Sequence, residues 1–316
     1  MKKILVTGGT GFIGSHLCKK LVEMGNYVIC LDNNFTGNIV NIKDLIRKSN
    51  EGEFNFEFIR HDITQPILLE VDEIYHLACP ASPKAYQYNS IKTIKTNIIG
   101  TINALGIAKR TKSKILLTST SEIYGDPQIS PQHEEYWGNV NPIGIRSCYD
   151  EGKRVAETLM IEYHREHKVD IRIARIFNTY GPFMNKDDGR VVSNFINQII
   201  NNDDISIYGD GSQTRSFCYI DDMIEALIKL MNSSEYVGPI NLGNPHEITI
   251  KELSNIIKDK IKYSTSKIVY YDLPKDDPTK RKPDINKAIR CINWSPNIDI
   301  DEGLNKTIEY FESLEK

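Results

Sequence analysis

The fold of this chain is decided by its first segment, MKKILVTGGTGFIGSHL, residues 1–17. Its apolar run KKILVTG predicts a buried strand, and the apolar pattern that begins at FIG predicts a helix. Between them stand the glycines Gly8, Gly11 and Gly14. Glycine permits a tight turn and lets the backbone approach a pyrophosphate, which binds exposed N–H groups at a helix N-terminus. The segment therefore predicts a strand, turn and helix that hold a dinucleotide, although a structural loop could carry the same spacing.

The ends of the second and third strands favour the dinucleotide over the structural loop. Asp32 ends YVICLD, where a carboxylate can accept hydrogen bonds from an adenosine ribose and repels a 2′-phosphate. No arginine follows in residues 33–37 to pair with such a phosphate, so NAD is favoured over NADP. Asp62, which ends FEFIRHD, is predicted to reach adenine, and an ordinary strand-end turn is the alternative for both aspartates. The remaining predicted cofactor contacts are Phe12, Ile13, Asn33, Phe35, Thr36, Ile63, Leu77, Ala78 and Thr96.

Beyond this segment, the first half of the chain alternates apolar runs with amphipathic helical patterns. Such alternation indicates an α/β fold with a doubly wound parallel sheet of the Rossmann type. The predicted strands are 2–8, 27–32, 56–62, 73–78, 114–120 and 170–178, and the predicted helices are 12–24, 91–110 and 147–167.

After Tyr180 the predicted elements become shorter, and the strand PINLG, 239–243, is one of them. The segment PKDDPTKRKPDI, 274–285, carries three prolines that oppose regular structure. We expect residues 1–180 to form a Rossmann domain that binds NAD and carries the catalytic residues. Residues 181–316 are expected to form a smaller α/β lobe that binds the substrate, with a soft boundary because the lobes interleave.

Composition and charge exclude several classes of function. The formal net charge of -3 argues against binding to nucleic acid through bulk electrostatics. Six scattered cysteines form no CxxC pair, which argues against a zinc site or a disulfide framework and favours reduced thiols. No run approaches the roughly 18 apolar residues of a membrane span, and the chain opens on a strand rather than a signal peptide. We expect a cytoplasmic protein that binds no metal, no membrane and no nucleic acid.

The helical segment SCYDEGKRVAE places Tyr149 and Lys153 on one face, four residues apart. A lysine ammonium near a phenol favours the phenolate and is expected to lower the phenol pKa from about 10. Such a phenol can take the proton from a sugar hydroxyl while hydride leaves for a nicotinamide. On an isolated helix this pair would be an exposed surface pair without function, but here it follows a nucleotide-binding pattern and a strand that ends in hydroxyl-bearing residues.

Three motifs together, TGGTGFIG, STSEIYG and YDEGK, resemble the extended short-chain dehydrogenase/reductase family, whose members act on nucleotide sugars. The resemblance implies a catalytic triad of Thr120, Tyr149 and Lys153. It also implies a homodimer, in which the helices at 91–110 and 147–167 pair with their copies across a two-fold axis.

The residues after Thr120, in ILLTSTSEIYGDP, separate the chemistries of this family. In its 4,6-dehydratases the next pair resembles Asp-Glu, and Ser121 cannot replace that acid; its epimerases tend to lack an acid at the position of Glu122. Longer blocks, HLACPASPKAY and YGDGSQTRSFCYIDDM among them, resemble the family's UDP-glucuronate decarboxylases nearly from end to end. The resemblance implies that bound NAD oxidises UDP-glucuronate at C4, that CO2 leaves, and that reduction then yields UDP-xylose. A related epimerase or dehydratase, or a non-enzymatic NAD sensor on the same fold, is the alternative.

The same resemblance assigns roles to residues around the sugar. Glu122 is expected to manage the proton at C5, directly or through a water, and an N-cap or surface carboxylate is its alternative. Arg281, in KRKPDI, meets the substrate carboxylate or only binds the diphosphate. Lys95 is expected to contact the sugar or, alternatively, to cover the helix surface. Tyr208 is expected to contact the substrate or to be a core residue. Phe183 stands where the family often has arginine. The predicted substrate contacts besides Arg281 are Lys95, Asn178, Arg190, Tyr208 and Arg215.

Overall fold

The computed structural model describes residues 1–187, 189–235, 238–272 and 280–314. The strands, in chain order, are β1 (Lys3–Thr7), β2 (Tyr27–Asp32), β3 (Phe56–Arg60), β4 (Glu73–His76), β5 (Lys114–Thr120), β6 (Ile171–Ile176), β7 (Thr179–Tyr180), β8 (Ile205–Tyr208), β9 (Thr214–Ser216), β10 (Cys218–Tyr219), β11 (Ile240–Leu242), β12 (Glu247–Thr249) and β13 (Ile268–Tyr271). The α-helices are α1 (Phe12–Glu23), α2 (Lys43–Asn50), α3 (Pro83–Tyr88), α4 (Ser90–Lys95), α5 (Thr101–Thr111), α6 (Ser147–His167), α7 (Val191–Ile200), α8 (Ile220–Met231), α9 (Ile250–Lys260), α10 (Asn286–Ile292) and α11 (Ile300–Ser313).

A seven-stranded sheet in the order β11-β6-β5-β4-β1-β2-β3 forms the centre of the molecule. Every neighbouring pair in it is parallel. The chain order reverses between β1 and β4, and ligands of doubly wound folds bind in the crevice at such a switch point. The predicted doubly wound sheet is confirmed.

Helices cover both faces of this sheet, which explains why its strands are apolar runs rather than alternating ones. In β1, Ile4 and Val6 belong to the core shared with α1 and α8. Their neighbour Leu5 belongs to the core on the opposite face, shared with α5 and α6. All three side chains are buried, so this strand is held from both sides.

One strand predicted for the second lobe instead completes the main sheet. Strand β11, from PINLG, pairs with β6, and Ile240 lies opposite Ala174. Both of these residues are fully buried. A segment that follows residue 180 therefore belongs to the main sheet of the first lobe. The soft boundary allowed for such a return, and the division at residue 180 stays a prediction. Three two-stranded pairs lie outside the main sheet, namely β7–β10, β8–β13 and β9–β12.

The long helix predicted at 91–110 is interrupted. Helix α4 continues into a π-helical segment, Thr96–Gly100, before α5 begins. This segment packs closely against α6, because a Cβ added to Gly152 would stand 2.8 Å from Asn97 Nδ2. Such π-segments occur frequently at functional sites. By contrast, the helix predicted at 147–167 has the same bounds in the structure.

The proline-rich segment predicted to be irregular falls partly outside the described residues, because 274–279 are not among them. The described end of that segment is anchored to the first lobe. Gln132 N–H donates to the Lys282 carbonyl at 2.8 Å. Lys282 N–H donates in turn to Gln132 Oε1 at 2.8 Å. These two bonds hold the neighbouring Arg281 at the edge of the central cavity.

Candidate active site

A cavity of about 1410 Å³ opens at the carboxyl end of the main sheet. Pockets for one small ligand usually measure about 300–1,000 Å³, so this cavity has room for two ligands. Every residue predicted to contact the cofactor lines it, from Gly8 on the first turn to Lys153 on α6. Five of the six predicted substrate residues also line it, namely Asn178, Arg190, Tyr208, Arg215 and Arg281.

The glycine-rich turn forms a cradle that side chains would fill. A Cβ on Gly14 would stand 2.1 Å from the Gly8 carbonyl oxygen, and Gly8 itself has φ +74. A Cβ on Gly8 would stand 2.9 Å from Ala78 Cα. The N-cap of α1 is Gly11, which makes no side-chain cap hydrogen bond. This close-packed helix N-terminus fits a pyrophosphate.

Asp32 lies at the end of β2 and anchors the turn around it. Its Oδ2 accepts Thr10 N–H at 3.1 Å. Its Oδ1 accepts Asn34 N–H at 2.8 Å. A carboxylate offers about four acceptor positions, so these bonds leave capacity for ribose hydroxyls. The turn role and the predicted ribose role are therefore compatible in one side chain.

The Asp62 carboxylate lines the cavity and is bound by protein groups, and its contact with adenine stays a prediction. It accepts from Lys92 Nζ, from Thr64 N–H at 3.0 Å and from Asn33 Nδ2 at 3.2 Å. Burial raises the pKa of Asp62, but the bonds from Lys92 and Thr64 outweigh burial and hold this pKa well below its usual value. The sequence did not single out Lys92, whose partner lies 30 positions away.

Helix α6 brings the predicted catalytic pair into the cavity. Tyr149 is 6% exposed and Lys153 4% exposed. Lys153 Nζ donates to the Thr118 carbonyl at 2.7 Å and lies 5.9 Å from the centroid of the Tyr149 ring. The ring of Tyr86 stacks on that of Tyr149, with centroids 5.1 Å apart. The phenol and the ammonium therefore lie together on one buried side of the cavity, next to Thr120.

The pKa of Tyr149 differs in direction from the sequence prediction. Burial raises this pKa well above its usual value, and the hydrogen bond with Thr120 lowers it by less. Burial likewise lowers the pKa of Lys153. Both shifts have one cause, because removal from water disfavours the charged form of each group. The net shift of the Tyr149 pKa is therefore upward, opposite to the expected lowering, because burial outweighs the other effects on the phenol.

Glu122 lies between two arginines at the start of a one-turn 3-10 helix, Ser121–Tyr124. Thr120 caps this turn by accepting Glu122 N–H at 3.2 Å. Arg281 binds the carboxylate with both terminal nitrogens, Nη1 to Oε1 at 2.7 Å and Nη2 to Oε2 at 2.8 Å. Arg146 Nη2 donates to the same Oε2 at 2.5 Å. The Glu122 side chain is 12% exposed, which is inconsistent with a surface carboxylate.

These arginines determine the protonation of Glu122. Burial raises its pKa, but the charges of Arg281 and Arg146 outweigh burial and lower it below the usual value. Glu122 is therefore ionised near neutral pH. A carboxylate in this state can orient a water or accept a proton, but it holds no proton to donate directly.

Asp150 belongs to the same group of charges, although the sequence did not indicate it. Burial and the charge of Glu122 raise the pKa of Asp150 to about 7. Its Oδ1 is buried and accepts no hydrogen bond from the residues that the structure describes. Arg146 was also missed, although its position one helical turn before Tyr149 could have indicated it.

The other predicted substrate contacts line the same cavity. Arg215 lies on β9, is 7% exposed, and its charge helps to lower the pKa of Glu122. Tyr208 is 45% exposed rather than a core residue. The Arg190 guanidinium lies 5.7 Å from the centroid of the Phe12 ring, which places it beside the glycine turn. Asn178 accepts Cys218 N–H through its carbonyl at 2.9 Å.

Lys95 does not belong to the cavity, which corrects its prediction as a substrate contact. Its side chain is exposed at the end of α4 and is absent from the lining. The residue of this helix that reaches the cavity as a cation is Lys92. The two lysines are three positions apart, so periodicity alone could not decide which one faces inward.

Phe183, the departure from the family pattern, packs into an aromatic group beside the cavity. Its ring centroid lies 5.0 Å from that of His16 and 5.2 Å from that of Tyr310. Phe183 thus supplies an apolar wall near α1.

Neither a membrane-spanning helix nor a metal-binding cluster is found in the described ranges, residues 1–187, 189–235, 238–272 and 280–314. Within them, no helix combines the length and the apolar character needed to cross a membrane. Nor do three metal-ligating side chains converge there. All six cysteines lie in these ranges and carry free thiols.

Comparison with known proteins assigns the chain to a family. The family model described as GDP-mannose 4,6 dehydratase matches residues 5–307. The chain belongs to the extended short-chain dehydrogenase/reductase family. Within this family, UDP-glucuronic acid decarboxylase 3 of Arabidopsis thaliana is 59% identical over 303 residues, which cover 96% of this chain and 86% of that protein. UDP-glucuronic acid decarboxylase 1 of Danio rerio is 53% identical over 310 residues, covering 98% of this chain and 72% of that protein.

A solved structure of the family shows the same fold with ligands present. UDP-glucuronic acid 4-epimerase from Bacillus cereus, in complex with UDP-glucuronic acid and NAD, superposes with a TM-score of 0.87. It is 30% identical and covers 99% of both chains. A fold shared by proteins with different reactions cannot assign the reaction, which depends on the residues at the site.

Proposed function

We propose that this protein is an NAD-dependent carboxy-lyase that converts UDP-glucuronate to UDP-xylose and CO2. The observation that carries the proposal is the position of Arg281, which lies in the same cavity as Tyr149 and Lys153. A phenol that can accept the proton of a sugar hydroxyl and a guanidinium that can bind a carboxylate thus face one substrate. The names of relatives up to 59% identical support the same reaction.

NAD fits the first lobe. The cradle of Gly8 and Gly14 would hold the pyrophosphate, Asp32 the adenosine ribose, and Tyr149 and Lys153 the nicotinamide end. When bound, the dinucleotide takes up hydride from C4 of the sugar and later returns it. The net reaction therefore needs no external oxidant or reductant. Residues 181–316 would hold the UDP-sugar, with Arg215 placed to pair with the diphosphate through its guanidinium.

The first chemical role is proton removal at the C4 hydroxyl. Tyr149 accepts this proton as a phenolate while the hydride leaves and becomes a neutral phenol, and Thr120 stabilises the phenolate before the transfer through its hydroxyl. Lys153 holds a positive charge beside the phenol ring, which favours the same state. Because burial raises the pKa of Tyr149, the phenolate depends on these two groups for its stabilisation.

The second role is handling of the C6 carboxylate. Oxidation at C4 creates a ketone β to this carboxylate, so the C5–C6 bond can break and its electrons pass to the ketone oxygen as CO2 leaves. Arg281 orients the carboxylate for this step. C5 then receives a proton, which Glu122 delivers by orienting a water because Glu122 itself is ionised. One proton from solvent is consumed for each CO2 released.

A 4-epimerase acting on UDP-glucuronate is the second candidate, because the solved structure of the Bacillus cereus enzyme has the same fold and binds that sugar and NAD. Such an enzyme would return hydride to the opposite face of C4 without loss of CO2. The ionised Glu122 and its arginine partners favour decarboxylation.

The proposal is tested by incubating the purified protein, residues 1–316, and NAD with UDP-glucuronate in the absence of a reductant. We expect equal amounts of CO2 and UDP-xylose, with no lasting accumulation of NADH. Formation of UDP-galacturonate without CO2 would assign the epimerase reaction instead.

Homodimerisation is part of the proposal. The exposed apolar residues Ile91, Ile102 and Val155 lie on α4, α5 and α6, the helices that the resemblance places at a two-fold axis. A second copy would cover them, and sedimentation equilibrium should give twice the mass of 36.1 kDa. We also propose a cytoplasmic location, because six free thiols suit a reducing compartment.

A further inference from the structure

The two arginines on Glu122 have different surroundings. Arg281 is bidentate to Glu122 and comes from the segment at the edge of the second lobe. Its backbone is held independently, because Ser216 Oγ donates to the Arg281 carbonyl at 3.0 Å. The guanidinium can therefore change partner by rotation of the side chain, while the backbone stays in place.

Arg146 is built into the catalytic helix. It is the N-cap residue of α6. Its carbonyl accepts Tyr149 N–H at 3.0 Å and Asp150 N–H at 3.1 Å. Its Nη2 reaches Glu122 Oε2 at 2.5 Å. The Arg146–Glu122 pair is thus tied to the helix that carries the phenol.

This arrangement creates a competition for Arg281. In the structure the guanidinium expected to meet the substrate already binds a protein carboxylate. Removal of Arg281 from Glu122 would leave a largely buried carboxylate without charge compensation, which is strongly unfavourable unless another cation remains. Arg146 is that cation.

We propose that Arg146 is a positioning residue that keeps Glu122 in place while the Arg281 guanidinium exchanges Glu122 for the C6 carboxylate of the substrate. The inference rests on the proposed function, because it requires a substrate with a carboxylate. It makes Arg146 a determinant of specificity for acidic sugars without direct contact between Arg146 and the sugar.

The test measures the preference for a carboxylate as the ratio of the Kd of UDP-glucose to the Kd of UDP-glucuronate. All proteins carry Tyr149→Phe and bound NAD, so that calorimetry measures binding without turnover. In this background Arg146→Met leaves Glu122 with Arg281 alone. We expect the preference to fall by about tenfold or more, the scale of a charge-assisted hydrogen bond, while the Kd of UDP stays unchanged.

A second substitution tests the competition directly. With Glu122→Gln added to Arg146→Met, Glu122 no longer retains Arg281 through an ion pair, and we expect the preference to return. Arg165→Met, at the exposed far end of α6, serves as the matched control and should leave all three affinities unchanged.

Three results would overturn the inference: an unchanged preference in Arg146→Met, an equal loss of affinity for UDP, UDP-glucose and UDP-glucuronate, or no recovery with Glu122→Gln. Arg146→Lys, which keeps a cation, should give a smaller loss and decides the question if Arg146→Met does not fold. Failure of the proposed function looks different, because the parent protein would then show no carboxylate preference and the wild type would release no CO2.

Discussion

Ionisable groups at the two ends of the cavity are buried to a similar degree, but their protonation is controlled differently. At the phenol end, defined by Tyr149 and Lys153, burial is the largest effect and raises the pKa of Tyr149 while it lowers the pKa of Lys153. At the carboxylate end, defined by Glu122, Arg146 and Arg281, opposite charges outweigh burial and keep the glutamate ionised. The difference shows that burial alone does not decide a protonation state; the charges buried together do.

This difference suits two kinds of chemistry. A proton must leave and return at the phenol end, which requires a group that can exist in both states. A substrate carboxylate must be bound and released as CO2 at the other end, which requires fixed positive charge. Thr120 joins the two ends, because its hydroxyl accepts Glu122 N–H and also hydrogen-bonds with Tyr149.

The largest effect is expected from Tyr149→Phe, which removes the proton acceptor at the phenol end. General acid–base catalysis contributes about 10²–10⁴-fold, so CO2 release should fall by that factor. Phenylalanine keeps the stacking on Tyr86, and binding of UDP-glucuronate should persist. A variant that retains more than a tenth of the wild-type rate would contradict the role of Tyr149.

Arg281→Met tests the carboxylate end. Loss of the orienting guanidinium should reduce CO2 release by about 10²-fold, the scale of one preorganised electrostatic contact. The affinity for UDP should change little, whereas the comparison variant Arg215→Met should weaken UDP binding. If Arg281→Met keeps turnover and weakens only UDP binding, Arg281 serves the diphosphate instead.

Glu122→Gln should reduce CO2 release less than Arg281→Met does, and it separates turnover from substrate binding. The amide orients a water less strongly, so kcat for CO2 release should fall by about tenfold or more. Arg281 is then released from its ion pair with Glu122, so UDP-glucuronate should bind at least as tightly as before. Unchanged turnover would remove Glu122 from the proton pathway.

The smallest effect is expected on stability, from Asp150→Asn. The folded-state pKa of Asp150 is raised to about 7. A raised carboxyl pKa contributes stability that is fully present below the unfolded-state value, about 3.9, and is lost as pH rises through about 7. Relative to Asp150→Asn, the wild type should therefore lose about 1–3 kcal/mol of unfolding free energy between about pH 5 and pH 8. Urea unfolding of both proteins at the two pH values measures this difference, and a pH-independent difference would contradict the raised pKa.

Some features followed from neighbouring residues and could be predicted. The glycine turn and the bounds of α6 depend on local spacing and capping, and the predicted doubly wound sheet was confirmed. Other features required packing between distant segments. The place of β11 in the main sheet depends on its pairing with β6. The π-helical segment interrupts a periodic sequence where a helix approaches Gly152 closely.

The sequence by itself determined the strand–turn–helix that suits a dinucleotide, the phenol and ammonium on one helix face, and the family. These depend on residues within one or two turns of each other, so their geometry follows from backbone periodicity. Only the tertiary structure decided that Arg281 pairs with Glu122 across 159 positions, that Lys92 rather than Lys95 faces inward, and that the Tyr149 pKa rises. Such properties depend on which charges are buried together, and burial is determined by the packing of segments far apart in the chain.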